Sequence, residues 1–246
     1  MTEWLFDLGN SRLKFAPVTG GRVGEMQACA HDGSRFEPGL AARLPARFEA
    51  AWIGSVAAPT VRLALLHALS RRCRRIHLAR TQAAFAGVRI AYAEPRRLGV
   101  DRFLALLAAR ARGERATLVV GVGTALTVDL LDARGLHRGG RIAPSPALMR
   151  EALHARAPHL PATGGSWTTF AGDTDDALAS GCDGAALGLV ESSLDAAAHL
   201  LGEAPEVLLH GGGAPSLSPR LPQATHAPGL VLEGLLQWRR VAAAGL

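Results

Sequence analysis

Lysine is almost missing from this chain. Lys14 is the only one, and the other 26 of its 27 basic residues are arginine. Cysteine is nearly as scarce. Cys29, Cys73 and Cys182 form no C-x-x-C pair, which argues against a disulfide framework and a zinc knuckle. Aromatic residues make up only 5% of the chain, so its core has to be built from Leu, Val and Ala. No apolar run reaches the length of a membrane span. The Met-Thr-Glu-Trp-Leu-Phe-Asp start lacks the basic flank and apolar stretch of a secretion signal, so a cytoplasmic protein is expected. Charged residues at 20% and hydrophobic ones at 48% fit a globular protein rather than a disordered one. The 246 residues allow one large domain or two compact ones.

Negative charge is in deficit too. The net charge of +6 suits an anionic ligand. The basic residues are spread along the chain, and the densest run is Arg71-Arg72-Cys73-Arg74-Arg75. It has no interleaved aromatics to stack bases, so it reads as a solvated helix end and nucleic acid is not expected as a partner.

Glycine is plentiful and punctuates two similar stretches. Trp4 to Leu8 is apolar and stops at Gly9-Asn10-Ser11; Arg12 to Val18 alternates; Gly20-Gly21 turns into a third strand over 22–28. This predicts an antiparallel meander. A loop and a helix are expected within 29–48, a buried strand over 50–54, an amphipathic helix over 59–72, a strand over 75–78 and a helix from Asp101 to about Arg112. At Thr117 the pattern restarts, with strands over 118–120, 126–131 and 136–142. Aligning the turns sets Asp7 opposite Gly121, Gly9 opposite Gly123 and Asn10 opposite Thr124. Such a repeat predicts a duplicated α/β fold, with domains over 1–115 and 116–246. Helices over about 145–156, 173–201 and 229–243 and a strand over 206–210 complete the second half.

Phosphate oxygens need backbone N–H groups that can come close, and a glycine turn permits that approach. Asp7, at a strand end, can hold Mg²⁺ directly or through water. Lys14 adds a compact point charge. Alone, Asp7-Leu8-Gly9-Asn10-Ser11 is an ordinary hairpin. The second turn, Gly121-Val122-Gly123-Thr124, raises its significance, because two hairpins facing a cleft can grip a polyphosphate, and the Thr124 hydroxyl can donate to it. Gly211-Gly212-Gly213 would suit close approach of a nucleotide; a lipase reading of His210 to Gly213 fails for want of a G-x-S-x-G elbow. Asp101 can cap a helix, or align an acceptor hydroxyl and take its proton. Arg102 can neutralise phosphate charge, and Tyr92, the single tyrosine, can cover a substrate.

With these pieces in place the sequence resembles the type III pantothenate kinases over nearly its whole length. The D-x-G-N-[TS]-x-x-K opening falls on Asp7, Gly9, Asn10, Ser11 and Lys14. A Tyr-x-x-Pro and Leu-Gly-x-Asp-Arg stretch falls on Tyr92, Pro95, Leu98, Gly99, Asp101 and Arg102. A G-T-A-x-T-x-D strand falls on Gly123, Thr124, Ala125, Thr127 and Asp129, and Gly-Gly-x-Ile-x-Pro on Gly139, Gly140, Ile142 and Pro144. A Thr-x-x-Ala-x-x-x-Gly helix start falls on Thr174, Ala177 and Gly181. The resemblance implies two ribonuclease H-like (actin-like ATPase) domains with a central cleft, a homodimer, and ATP-dependent phosphorylation of pantothenate, the first step of coenzyme A synthesis. It implies ATP contact by Asp7, Leu8, Gly9, Asn10, Ser11, Arg12, Leu13, Lys14 and Thr124. Pantothenate contact falls to Tyr92, Gly99, Val100, Asp101, Arg102 and Thr174, with Asp101 as proton acceptor and Asp7 near Mg²⁺. A monovalent cation, K⁺ or NH₄⁺, is also implied.

One family carboxylate is missing. The Asp of the second D-x-G-T, a ligand of that cation, is Gly121 here, and the family's Pro-Gly is Pro144-Ser145. Asp129 is a possible substitute, but its place along the strand can turn it away. Two other readings compete: a non-catalytic or regulatory relative that binds nucleotide or DNA, and another small-molecule kinase of the same superfold. The retained set Tyr92, Asp101, Arg102 and Thr174 favours pantothenate.

Overall fold

Strand β1 (Glu3–Leu8) alternates side chains in and out, and its apolar face meets β2 (Arg12–Thr19) across the first glycine turn. Phe6 and Phe15 stack at 6.0 Å and are fully enclosed. Cross-strand aromatic pairs of this kind help to fix the register of an antiparallel pair. The structure, a computed structural model, describes residues 2–244. It forms two compact units, one of Met1–Gly113 with Gly229–Leu246 and one of Glu114–Pro228.

In the first unit β3 (Arg22–Val23) and β4 (Gln27–Ala30) both pair with β2, then follow α1 (Leu40–Arg43), β5 (Phe48–Ser55), α2 (Pro59–Ser70) and β6 (Cys73–Leu78). The sheet order is β3-β2-β1-β5-β6, with β1, β5 and β6 parallel. A small hairpin of β7 (Ala84–Phe85) and β8 (Val88–Arg89) precedes α3 (Val100–Arg112). Val61, Leu65 and Leu69 of α2 cover Phe6, Leu8, Leu13, Phe15 and Ile53 in one core.

The second unit repeats the plan. β9 (Thr117–Val122), β10 (Ala125–Leu131) and β11 (His137–Pro144) form the meander, followed by α4 (Pro146–Arg156), α5 (Thr174–Leu201), β12 (Glu206–His210), α6 (Ala214–Leu217) and β13 (Ala224–His226). The sheet order is β11-β10-β9-β12-β13, again with the last three strands parallel. β9 is buried along its whole length, as expected of a central strand in parallel pairing. Ser145 caps α4 with Pro146 at its first turn, and Asp173 caps α5 by accepting from Asp176 N–H at 2.9 Å.

Three expectations need revision. The strand expected over 22–28 is two strands, because the chain breaks step at Gly24, whose N–H donates to the Pro17 carbonyl at 2.8 Å. The loop and helix expected over 29–48 reduce to a loop carrying the one-turn α1, between the end of β4 and the start of β5. The halves do not divide as 1–115 and 116–246. The division falls after Gly113, and the last helix, α7 (Leu230–Ala244), belongs to the first unit. Gly234 explains the attachment: a Cβ there would run into the backbone of Leu104, so α7 and α3 cross in direct backbone contact. Glu233 closes the same crossing with an ion pair to Arg112 at 2.8 Å.

The arginine run lies at the end of α2 and the start of β6. Arg72 donates to the carbonyls of Leu44 and Pro45, and Arg75 pairs with Glu49 at 3.0 Å. Among the described residues no helix is long and apolar enough to cross a membrane.

Candidate functional site

Asp7 stands one residue from the end of β1, opposite Lys14 on β2 and Gly54 on β5. Three chain segments thus meet at one point of the first sheet. Burial pushes the Asp7 carboxyl up to about 7; the negative charge of Asp101 adds to the rise and Lys14 opposes it. Asp101 therefore shares an electrostatic neighbourhood with Asp7 and Lys14, although more than 80 residues of chain separate the two acids.

Asp101 sits in the first turn of α3. Its Oδ1 accepts from the Arg102 N–H at 2.8 Å and lies 2.6 Å from where a Cβ on Gly99 would be. Glycine at 99 is thus required for the carboxylate to fold back in this way. Arg102 is buried; its Nη1 donates to the Tyr92 hydroxyl at 3.3 Å, and its guanidinium lies 5.9 Å from the ring centre. Thr81 Oγ1 donates to the Leu98 carbonyl at 2.8 Å and ties down the loop that carries Gly99 and Val100. The structure brings together Asp7, Lys14 and Asp101, and Tyr92 with Arg102.

The hairpin itself is closed by the Gly9 N–H, which donates to the Arg12 carbonyl at 3.0 Å. Leu8 and Leu13 are fully buried and serve the core, so only their backbone is available to a ligand. Asn10, Ser11 and Arg12 form the exposed tip. Two residues went unnoticed in the sequence. Ser55 follows Gly54 at the end of β5, and its hydroxyl is enclosed with no protein partner. His31 hydrogen-bonds the Gly9 carbonyl at 2.9 Å. Neither belongs to a local motif; only strand pairing brings them to the hairpin.

In the second unit the matching turn is closed by the Gly123 N–H donating to the Ala125 carbonyl at 2.9 Å. Thr124 lies in this turn, and its carbonyl accepts from the Ser145 N–H at 3.4 Å. Gly121 pairs with Thr127 on β10 and with His210 on β12. A Cβ on Gly121 would lie 2.7 Å from Thr127 Oγ1 and 2.9 Å from His210 Nε2. The volume an aspartate would need is therefore filled by a hydroxyl and an imidazole. Asp129 does not replace that acid. It lies two residues beyond Thr127 on β10, buried, and accepts from His137 Nε2 at 2.9 Å. The residues present do not fit a monovalent cation held by a carboxylate at this turn.

Gly211 and Gly213 are explained by packing. Gly211 has φ +101°, and Cβ atoms at both positions would press on Val122, so the glycine run lets the chain cross the hairpin backbone. That leaves Gly212 as the only member of the run with open space around it. Thr174 is exposed in the first turn of α5. For Mg²⁺ the fit is better. Among the described residues no cluster of three or more acidic, His or Cys side chains forms a ready metal cage. One carboxylate such as Asp7, completed by substrate phosphates and water, is the usual Mg²⁺ arrangement.

Comparison with known proteins identifies the family and the fold. A family model described as type III pantothenate kinase matches residues 4–196. The type III pantothenate kinase of Stenotrophomonas maltophilia (strain R551-3) is 59% identical over 241 residues, covering 97% of both chains. That of Xanthomonas euvesicatoria pv. vesicatoria is 55% identical over 243 residues, covering 99% of both. Among solved structures, a protein from Campylobacter jejuni described as a Baf family transcriptional activator aligns with a TM-score of 0.64 at 18% identity, over 98% of this chain and 99% of that one. An archaeal actin homologue aligns with a TM-score of 0.51 at 9% identity, over 98% of this chain and all of its own. Identities this low speak for the fold alone, and that fold is actin-like. The near-full-length sequence matches and the family model together show that the chain belongs to the type III pantothenate kinase family.

Proposed function

We infer that the protein transfers the γ-phosphoryl group of ATP to the primary hydroxyl of pantothenate, giving ADP and 4′-phosphopantothenate, the first step of coenzyme A synthesis. The observation that carries this reading is Lys14 paired opposite Asp7 at the end of β1, with the charge of Asp101 in electrostatic reach of Asp7. In phosphoryl transfer the protein supplies position and countercharge more than covalent chemistry. The turn amides and Lys14 hold the β- and γ-phosphates, and Asp7 is the residue that would hold Mg²⁺, which neutralises phosphate charge when bound. The pantothenate hydroxyl oxygen forms a bond to the γ-phosphorus as the bond to the β–γ bridging oxygen breaks. The hydroxyl proton passes to Asp101. Arg102, steadied by Tyr92, supplies a fixed positive charge beside the acceptor, with Gly99 and Val100 forming the wall of its loop. The family resemblance assigns Thr124 to ATP contact and Thr174 to pantothenate contact.

A coupled assay of ADP release with pantothenate as acceptor tests the reading. Asp101→Asn should lower kcat by about 10²–10⁴-fold with little change in either KM. Wild-type turnover in that variant would remove Asp101 from its role. We also propose a cytoplasmic homodimer. Ile142, Leu153 and Phe170 support it, being large apolar side chains exposed on the second unit, Phe170 at 94%. Light scattering should give twice the chain mass of 25.7 kDa.

A further inference from the structure

The phosphate hairpin is held from outside by a residue that belongs to no motif. His31 follows β4, and its backbone N–H donates to the Ser11 carbonyl at 3.2 Å. Its ring reaches back to the turn, where Nε2 meets the Gly9 carbonyl at 2.9 Å. The other ring nitrogen, Nδ1, meets the Gly33 N–H at 3.2 Å. A carbonyl can only accept and an amide N–H can only donate. The ring is therefore the neutral tautomer, with its proton on Nε2.

The imidazole is clamped as well as bonded. Phe36 meets it edge-on at 5.7 Å and 79°, and the backbones of His31 and Phe36 pair. The loop between them is tightened by Asp32 Oδ1, which accepts from the N–H groups of Ser34 at 2.8 Å and Arg35 at 2.7 Å. Gly33 adopts φ +92°, a left-handed turn that presents its N–H to the ring.

The consequence lies in the hairpin's own bonding. Gly9 and Arg12 face each other as a hydrogen-bonded pair, and such a pair ordinarily exchanges two bonds. Only the bond from Gly9 N–H to the Arg12 carbonyl is made; the Gly9 carbonyl is drawn to His31 instead. We propose that His31 is a positioning residue for nucleotide phosphate. By holding the Gly9 carbonyl it keeps the Arg12 N–H out of the turn's internal bonding and available to a phosphate oxygen. This rests on the reading of the hairpin as the ATP phosphate site.

The test compares His31→Ala, His31→Gln and Lys14→Ala, with binding of ADP and of adenosine measured by calorimetry and KM for ATP and pantothenate measured in the coupled assay. The Gln amide can donate to the same carbonyl. His31→Ala should weaken ADP and raise the ATP KM by about three- to tenfold, the scale of one lost hydrogen bond. Adenosine binding and the pantothenate KM should stay put, and His31→Gln should recover ADP binding to within about twofold of wild type, on the same hydrogen-bond scale. Wild-type ADP affinity in a folded His31→Ala protein overturns the proposal if Lys14→Ala still weakens ADP. Equal loss in the Gln and Ala variants overturns it too. If neither Lys14→Ala nor His31→Ala affects ADP, the hairpin is not the phosphate site and both readings fall.

Discussion

Near the tip of β1 an aspartate faces a glycine across the parallel pair, Asp7 against Gly54; at the matching place in β9 a glycine faces a histidine, Gly121 against His210. The two sheets share the order of their five main strands and a hairpin closed by a glycine N–H, although the first turn is one residue longer, from Gly9 to Arg12 against Gly123 to Ala125, and the first sheet adds β4. At the first tip the carboxylate of Asp7 stands opposite Lys14. At the second, a side chain on residue 121 would run into the Thr127 hydroxyl and the His210 imidazole. Loss of the acid at 121 is therefore an exchange in packing as well as a loss of charge, and restoring the acid alone would not restore a site.

The largest break in this comparison should come from Asp7→Asn. With Gly121 already uncharged, Asp7 is the carboxylate beside the first turn that has no counterpart at the second, and kcat should fall by about 10²–10³-fold, the scale of losing one preorganised electrostatic group. The same residue sets a pH signature. Its carboxyl titrates near 7, so kcat/KM should fall as pH drops below 7, by about tenfold per unit in the limit where the protonated form is inactive. Folding stability runs the other way. Because the folded value lies above the ordinary value of 3.8, the carboxyl favours folding most below about pH 4, and that contribution is lost as pH rises through 7. Asp7→Asn should accordingly raise Tm at pH 8 by more than at pH 5.

Next in size is the buried pair of the second unit. His137→Ala removes one hydrogen-bond partner of the enclosed Asp129 and should cost about 1–3 kcal/mol of stability in denaturant titration. Its effect on the ATP KM should be small. Gly121→Asp should destabilise by about 1–3 kcal/mol through overpacking, and His210→Ala in the same chain should recover most of that. The smallest expected effect is the sharpest for the comparison. Replacing K⁺ by Na⁺ or choline at constant ionic strength should leave wild-type turnover unchanged. A strong K⁺ requirement would mean that the Gly121 turn is not where such a cation acts.

Both hairpins and the long helices were legible in the sequence because their signals are local. Glycine turns, strand alternation and the caps at Ser145 and Asp173 each act within a few residues. Asp101 and Arg102 were legible through motif order. What escaped was set by pairing between distant segments. Nothing near His210 announces that it fills the space at Gly121. Nothing near His31 points to Gly9, and Ser55 looks like an ordinary strand end. Asp129 shows the converse: its motif position was clear, but its burial against His137 depends on β11. The place of α7 followed the same rule, since its periodicity predicts a helix but not the unit that receives it.

The return of α7 to the first unit also orders events in time. All of residues 114–228 emerge from the ribosome before any of α7. The second unit can thus finish folding while the first still lacks the helix that covers α3. Until then the backbone surface around Leu104 stays open, one turn along the same helix from Asp101. A nascent chain stalled before residue 230 would carry every predicted site residue yet lack the helix that packs on α3 at Leu104 and Arg112.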